Sequence, residues 1–192
     1  MSKLAKEFYL REDVVQIAKD LLGKYLFTNI DNEITAGIIT ETEAYAGVID
    51  KASHAYNERR TNRTEIMYSE GGVSYVYLCY GIHHLFNVVT NSKDVPHAIL
   101  IRAIKPVEGI ETILYRRNAL KMNPKIAGGP GTVSQALGIK TNHTGLDLGG
   151  NKIWIEDQGI KILKKDIIAG PRIGVDYAGE DAKLPYRFVV KL

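Results

Sequence analysis

Ile34-Thr35-Ala36-Gly37-Ile38-Ile39-Thr40-Glu41-Thr42-Glu43-Ala44-Tyr45 is an apolar run that ends in acids, and it decides how the chain is read. Ile34, Ala36 and Ile38 alternate with Thr35, Gly37 and Ile39, which predicts a strand over 34–42 largely buried on both faces. If the alternation continues, Glu41, Glu43 and Tyr45 share one side and Thr40, Thr42 and Ala44 the other. Asp50 and His54 follow within the fifteen residues from Thr40, and no folding requirement asks for that crowding. A carboxylate held at the rim of a core is desolvated on one side, which suits a general base. A strand end turning toward solvent, with its acids simply hydrated, reads the same stretch equally well.

Upstream, Tyr25–Ile30 predicts a strand and Asp31-Asn32-Glu33 a turn, so a hairpin leads into the acidic stretch. Before it, Asp13 to Leu22 places Val14, Ile17, Ala18 and Leu21 on one helical face, with Gly23 as the stop. Downstream, 57–65 carries Arg59, Arg60 and Arg63 with no apolar period, a surface loop that is either solvated or turned to phosphates. Residues 74–90 predict two strands joined tightly at 80–83, with Tyr75 and Tyr77 on one face and Val76 and Leu78 on the other. Tyr80 then falls at the tip, either folded back on its own hairpin or free to enter a gap in a base stack.

Ala98–Ile104 predicts a buried strand interrupted by Arg102, whose charge either needs a carboxylate or phosphate, Glu43 being an available partner, or emerges at a sheet rim. Pro106 is expected to precede a helix starting near Val107 or Glu108 that ends soon after Leu114, with Arg116, Arg117, Lys121 and Lys125 forming a second basic surface. Gly128 to Thr132 leads into a short helix over 133–137 stopped by Gly138, and strands are expected at 152–155 and 186–190. These elements predict an α/β chain of the α+β type: one domain, 1–192, with a mixed, largely antiparallel sheet and flanking helices.

The 192 residues are 45% hydrophobic and 24% charged, ordinary for a soluble protein, and the formal net charge of +3 permits a polyanionic partner. Cys79 is the only cysteine, which excludes an intrachain disulfide and a cysteine-rich zinc site and makes a reducing cytoplasmic compartment the default. No run approaches a membrane span. His54, His83, His84, His97 and His143 form no metal-ligand spacing, so no metal or other cofactor is expected, and no G-x-S-x-G elbow supports a serine nucleophile. The 11 tyrosines outnumber 4 phenylalanines, which fits stacking surfaces as well as strand packing.

E-T-E-A-Y from Glu41 with His54 following, Y-V-Y-x-x-Y-G from Tyr75 with Asn87 beyond, I-R-A-I-K-P-V-E-G from Ile101, G-P-G-T-V-S-Q-A-L-G-I from Gly129, and R-I-G-V from Arg172 with P-Y-R-F from Pro185 run collinearly over about 7–189. In these five blocks the chain resembles the alkyladenine (3-methyladenine) DNA glycosylase family. The resemblance implies a monofunctional, monomeric enzyme that flips alkylated or deaminated purines out of double-stranded DNA and hydrolyses the N-glycosidic bond. It implies Glu43 as general base, with Arg102 and the Ile173 carbonyl helping to place the water. Tyr45, His54, Tyr77 and Asn87 would wall the base pocket, and Tyr80 would intercalate from a protruding hairpin. The aromatic walls are expected to favour cationic bases through cation–π attraction. His83-His84 stands where an aromatic is common in the family. The rival reading is a non-catalytic DNA-damage-binding protein, which would use Tyr80 and the basic surface but have no need of Glu43 and Arg102.

Overall fold

The computed structural model describes residues 2–192, in which the chain passes through β1 (Ser2–Lys3), α1 (Lys6–Tyr9), α2 (Val14–Asp20), β2 (Tyr25–Ile30), β3 (Glu33–Tyr45), β4 (Ser74–Cys79), β5 (His83–Thr90), β6 (His97–Glu108), α3 (Ile110–Arg116), α4 (Pro130–Leu137), β7 (Ile153–Asp157), β8 (Ile168–Gly170) and β9 (Arg187–Val189). One sheet takes all nine strands in the order β1-β7-β2-β3-β6-β5-β4, with β9 beside β3 and β8 beside β9. Every ladder among the described residues is antiparallel.

The opening hairpin turns on two residues, Asp31 and Asn32, both with positive φ (59° and 62°), because Ile30 pairs directly with Glu33. That is the turn whose twist matches the strands it joins, and short polar residues tolerate it best. Strand β3 is longer than the alternation alone predicts, and it changes neighbours along one edge. Residues 33–38 pair with β2, whereas Glu41, Thr42 and Glu43 pair with β9, and β6 runs along the other edge from Ala36 to Tyr45. The register slips on both sides of Glu41, so the strand is bulged where the acids begin. Bulges re-aim side chains. Gly37 is required just before them, since a Cβ there would lie 2.6 Å from Ile104 Cδ1.

Helix α2 starts on Asp13, whose side chain accepts from the Gln16 N–H, and it buries Val14, Ile17 and Ala18 against the sheet. On the same face, α4 buries Val133, Ala136 and Leu137 and stops at Gly138 in the left-handed conformation. Phe86, Ile99, Ile101 and Ile153 complete that core, each such side chain contributing about 1.5–3 kcal/mol by leaving water. Thr42 Oγ1 donates to Ala18 O at 2.8 Å, which ties Thr42 to the helical layer and leaves Glu41 and Glu43 to the opposite side of β3.

Two expectations are corrected. Pro106 does not introduce a helix: β6 continues through it to Glu108, and α3 begins after Gly109. The reason is edge pairing. Beyond Leu100 strand β6 has lost β5 as a neighbour, so a residue without an N–H leaves no bond unmade there, and Pro106 faces Gly37 at a register slip. The second basic surface also shrinks, because Arg116 donates to Ile30 O and Thr35 Oγ1, and Arg117 donates to Ile126 O. These arginines serve acceptors within the fold, main-chain carbonyls and the side chains of Thr35 and Gln135.

Candidate active site

The bulged half of β3 delivers Glu43 with no exposed surface at all. Its Oε1 accepts the Ile173 N–H at 2.8 Å, its Oε2 accepts the Tyr45 hydroxyl at 2.8 Å, and Arg102 Nη1 stands 3.4 Å from Oε2. Arg102 bonds more closely to Glu41, Nε to Oε1 at 3.0 Å, and Arg187 Nη1 meets the same oxygen at 3.0 Å. Glu41 thus balances two guanidinium groups and fixes the arginine that faces Glu43. Burial pushes the Glu43 carboxyl above the usual carboxylate range, against the lowering effects of Arg102, the Ile173 N–H and the Tyr45 hydroxyl, while Glu41 adds to the rise.

In front of Glu43 opens a cavity of about 520 Å³ lined by Tyr45, His54, Tyr77, Asn87, Arg102 and Ile173 among others. Glu43 itself does not line it. The carboxylate lies directly behind Tyr45, Arg102 and Ile173, each of which touches it. The resemblance implied the Ile173 carbonyl as a contact to the water; the N–H of the same residue donates to Glu43. Asn87 is buried, and its amide group donates to Tyr75 O and Leu85 O, which fixes its orientation in the wall.

His54 packs edge-on to Tyr77, ring centroids 4.7 Å apart, and its Nδ1 lies 2.8 Å from the Tyr75 hydroxyl. Its pKa is lowered to about 4, by burial first and then by Arg63 and Arg59, so it is neutral at physiological pH. Tyr77 lies beside Tyr75, 5.5 Å between centroids. The hairpin of β4 and β5 closes through Tyr80, Gly81 and Ile82, with positive φ at Tyr80 (51°) and Gly81 (74°). Tyr80 is 90% exposed at that tip and on the cavity rim. It does not fold back on its own hairpin.

Three residues escaped sequence reasoning in whole or part. Asp50 and Arg172 form a fully buried pair in which Arg172 also donates to Ala44 O at 2.9 Å and lies 4.8 Å over the Tyr45 ring. Arginine immediately before Ile173 inside a recurrent block is the signal that could have pointed to it. Arg63 reaches the cavity with its guanidinium 5.0 Å over the Tyr77 ring, whereas Arg60 of the same loop is spent on Glu65 and Asp94. Nothing in the spacing of that polar loop separates the two arginines.

A sequence model of the methylpurine-DNA glycosylase family matches residues 7–192. A provisionally named 3-methyladenine DNA glycosylase of Chlamydia felis is 48% identical over 191 residues, covering 98% of this chain and 96% of its own. Similarly named proteins of Clostridium perfringens and Bdellovibrio bacteriovorus are 42% and 43% identical, each across 98% of this chain and 96% and 95% of theirs. Among the described residues no helix is long and apolar enough to cross a membrane.

Proposed function

The chain belongs to the methylpurine-DNA glycosylase family, and on that premise we propose that it flips alkylated or deaminated purines out of double-stranded DNA and hydrolyses their N-glycosidic bond with a water activated by Glu43. The observation that carries this reading is the Glu43 carboxylate, buried yet in contact with three residues of the cavity wall. Of its two oxygens, Oε2 meets Tyr45 and Arg102, while Oε1 accepts, among the described residues, the Ile173 N–H alone and keeps a lone pair for a second donor.

The geometry supports the following chemistry. A cavity of about 520 Å³ whose lining includes Tyr45 and Tyr77 is at the scale of a single small ligand such as one base. As the glycosidic bond breaks, its electron pair leaves with the base and positive character builds on the sugar. Glu43 accepts a proton from the water, whose oxygen bonds to the anomeric carbon. Arg102 keeps the carboxylate ionised, and its own charge is held in check by Glu41. Cationic alkylated purines depart without further help, whereas neutral lesions take up a proton from solvent as they leave. Tyr80 fills the gap in the stack and offsets part of the few kcal/mol that flipping costs. One domain over residues 1–192 acts in this reading as a monomer in the cytoplasm, without a cofactor; sedimentation of the protein on lesion duplex checks the stoichiometry.

The test is a panel of duplexes with one lesion each, 3-methyladenine, 7-methylguanine, hypoxanthine or ethenoadenine, scored for abasic sites. No abasic site from any of them overturns the proposal. Acidification gives a second readout, because Glu43 works only when ionised. Single-turnover release of 7-methylguanine should fall as pH drops through the raised Glu43 pKa, and a rate that is flat down to the ordinary carboxylate range removes Glu43 as the base. For Tyr80→Ala, loss of stacking worth about 1–3 kcal/mol predicts weakening of lesion capture by roughly 5- to 150-fold. A fluorescent base analogue that still flips normally would count against the intercalating role.

A further inference from the structure

Resting on the glycosylase reading, we infer that Arg63 is a specificity-determining gate of the base pocket, occupying the open face of Tyr77 in the free protein and disfavouring cationic bases relative to neutral bases that offer a hydrogen-bond acceptor. Arg63 is an exposed residue whose guanidinium turns inward: 5.0 Å from the Tyr77 ring centroid, with Nη2 3.3 Å from His54 Nε2 and Nε 3.4 Å from the Tyr75 hydroxyl. Arg63 and Tyr77 both line the cavity, so the wall that a flipped base would meet at Tyr77 already carries a cation.

Two consequences follow from donor and acceptor chemistry. A guanidinium only donates, so His54 Nε2 must accept from it, and the single proton of the neutral imidazole then resides on Nδ1, donated to the Tyr75 hydroxyl. With Arg63 in place, the pocket-side nitrogen of His54 is an acceptor already in use. When Arg63 withdraws, the Tyr75 hydroxyl is free to donate to Nδ1, and Nε2 can carry the proton toward the base. Arg63 therefore sets which tautomer the pocket presents.

The second consequence is electrostatic. Tyr45 is backed by the buried Arg172 guanidinium at 4.8 Å, so both aromatic walls are already engaged by arginine, and Arg102 adds a third. Asp50 offsets Arg172 and Glu41 offsets Arg102, whereas among the described residues Arg63 forms no salt bridge. A cationic purine must displace Arg63 and lose the benefit of an open cation–π face. A neutral purine with a carbonyl oxygen or ring nitrogen can instead accept a hydrogen bond from the guanidinium as it swings aside. This modifies the expectation that the aromatic walls alone would favour cations.

Single-turnover base release by wild type, Arg63→Ala and Arg63→Lys is to be compared on duplexes carrying hypoxanthine (neutral) or 7-methylguanine (cationic), with imidazole nitrogen NMR of His54 in the free proteins. The expected result for Arg63→Ala is a shift in the ratio of rates toward 7-methylguanine by about tenfold, the size of one cation–π contact plus one hydrogen bond. Loss of the Nδ1–H preference at His54 should accompany it. Lysine should restore part of the discrimination against the cation without restoring the tautomer, because it lacks the two-point fork. Equal changes of both rates, as a phosphate contact alone would give, overturn the inference. Wild type that releases neither base overturns the glycosylase reading on which it rests.

Discussion

Glu43→Gln protein is expected to bind a lesion duplex about as well as the natural protein while releasing the base some 10²–10⁴-fold more slowly, the range over which a positioned base contributes. The amide keeps the shape of the carboxylate, and its oxygen can still accept the Ile173 N–H. Its NH₂ group can donate to the Tyr45 hydroxyl, which now accepts rather than donates. What disappears is the proton acceptor and the negative charge opposite the developing positive sugar. Arg102 does not become an orphan, because its shorter bond is to Glu41. Replacing a fully buried, desolvated carboxylate by a neutral isostere should leave thermal stability equal or slightly higher. That stability readout separates chemistry from unfolding: loss of release together with a lowered melting temperature would mean structural damage, and undiminished release would sink the assignment of Glu43. The pH limb expected of the natural protein should vanish in this variant.

How much of this was readable in advance depends on whether an effect is local. The β2–β3 hairpin was legible because a two-residue polar turn and an alternating strand are both encoded within a dozen residues, and α2 because its stripe and its Asp13 cap are. The extension of β3 to Tyr45 and of β6 to Glu108 was not, since both follow from which strand lies alongside: β9 replaces β2 at Glu41, and the loss of β5 beyond Leu100 makes Pro106 harmless. The same divide runs through the site. That Arg102 would need a carboxylate or phosphate if buried followed from the apolar run around it, yet the division of that duty between Glu41 and Glu43 required the register slip that aims them. The roles of Tyr45, His54, Tyr77, Asn87 and Tyr80 came from the family resemblance, and the fold gathers those positions around one cavity. The roles of Arg63 and Arg172 came from neither source: Arg172 pairs with Asp50, 122 residues away, and nothing in the polar loop around Arg63 shows that it folds over Tyr77.

Breaking the Asp50–Arg172 pair is expected to cost the most stability of any single change in the site, about 3–5 kcal/mol for Arg172→Met in denaturant unfolding. The two side chains are 0% and 2% exposed, so removing one leaves a charge in the interior with nothing to balance it. Asp50 receives Arg172 Nη2 at 2.8 Å and caps the Ala46 and Ala52 N–H groups at 3.0 Å each. Arg172 donates onward to Ala44 O and Asp181 O and lies against the rings of Tyr45 and Tyr186. One guanidinium therefore ties the end of β3, the loop after it and the C-terminal segment into a single unit. Its Nε is buried and has no hydrogen-bond partner among the described residues. What the clamp supplies is position: the next residue, Ile173, holds Glu43 Oε1, and the Tyr45 ring it supports holds Oε2. A displacement of about 1 Å at a reacting group can cost 10²-fold in rate, so folded Arg172→Met should release 7-methylguanine far more slowly at unchanged lesion affinity. The double variant Asp50→Leu with Arg172→Met should recover stability relative to either single change, a coupling read from the double-mutant cycle, without recovering the rate. A single-variant loss below about 1 kcal/mol would show that the pair is not the anchor of the site, and recovery of the rate with stability would show that Arg172 acts on the fold and not on the placement of Glu43.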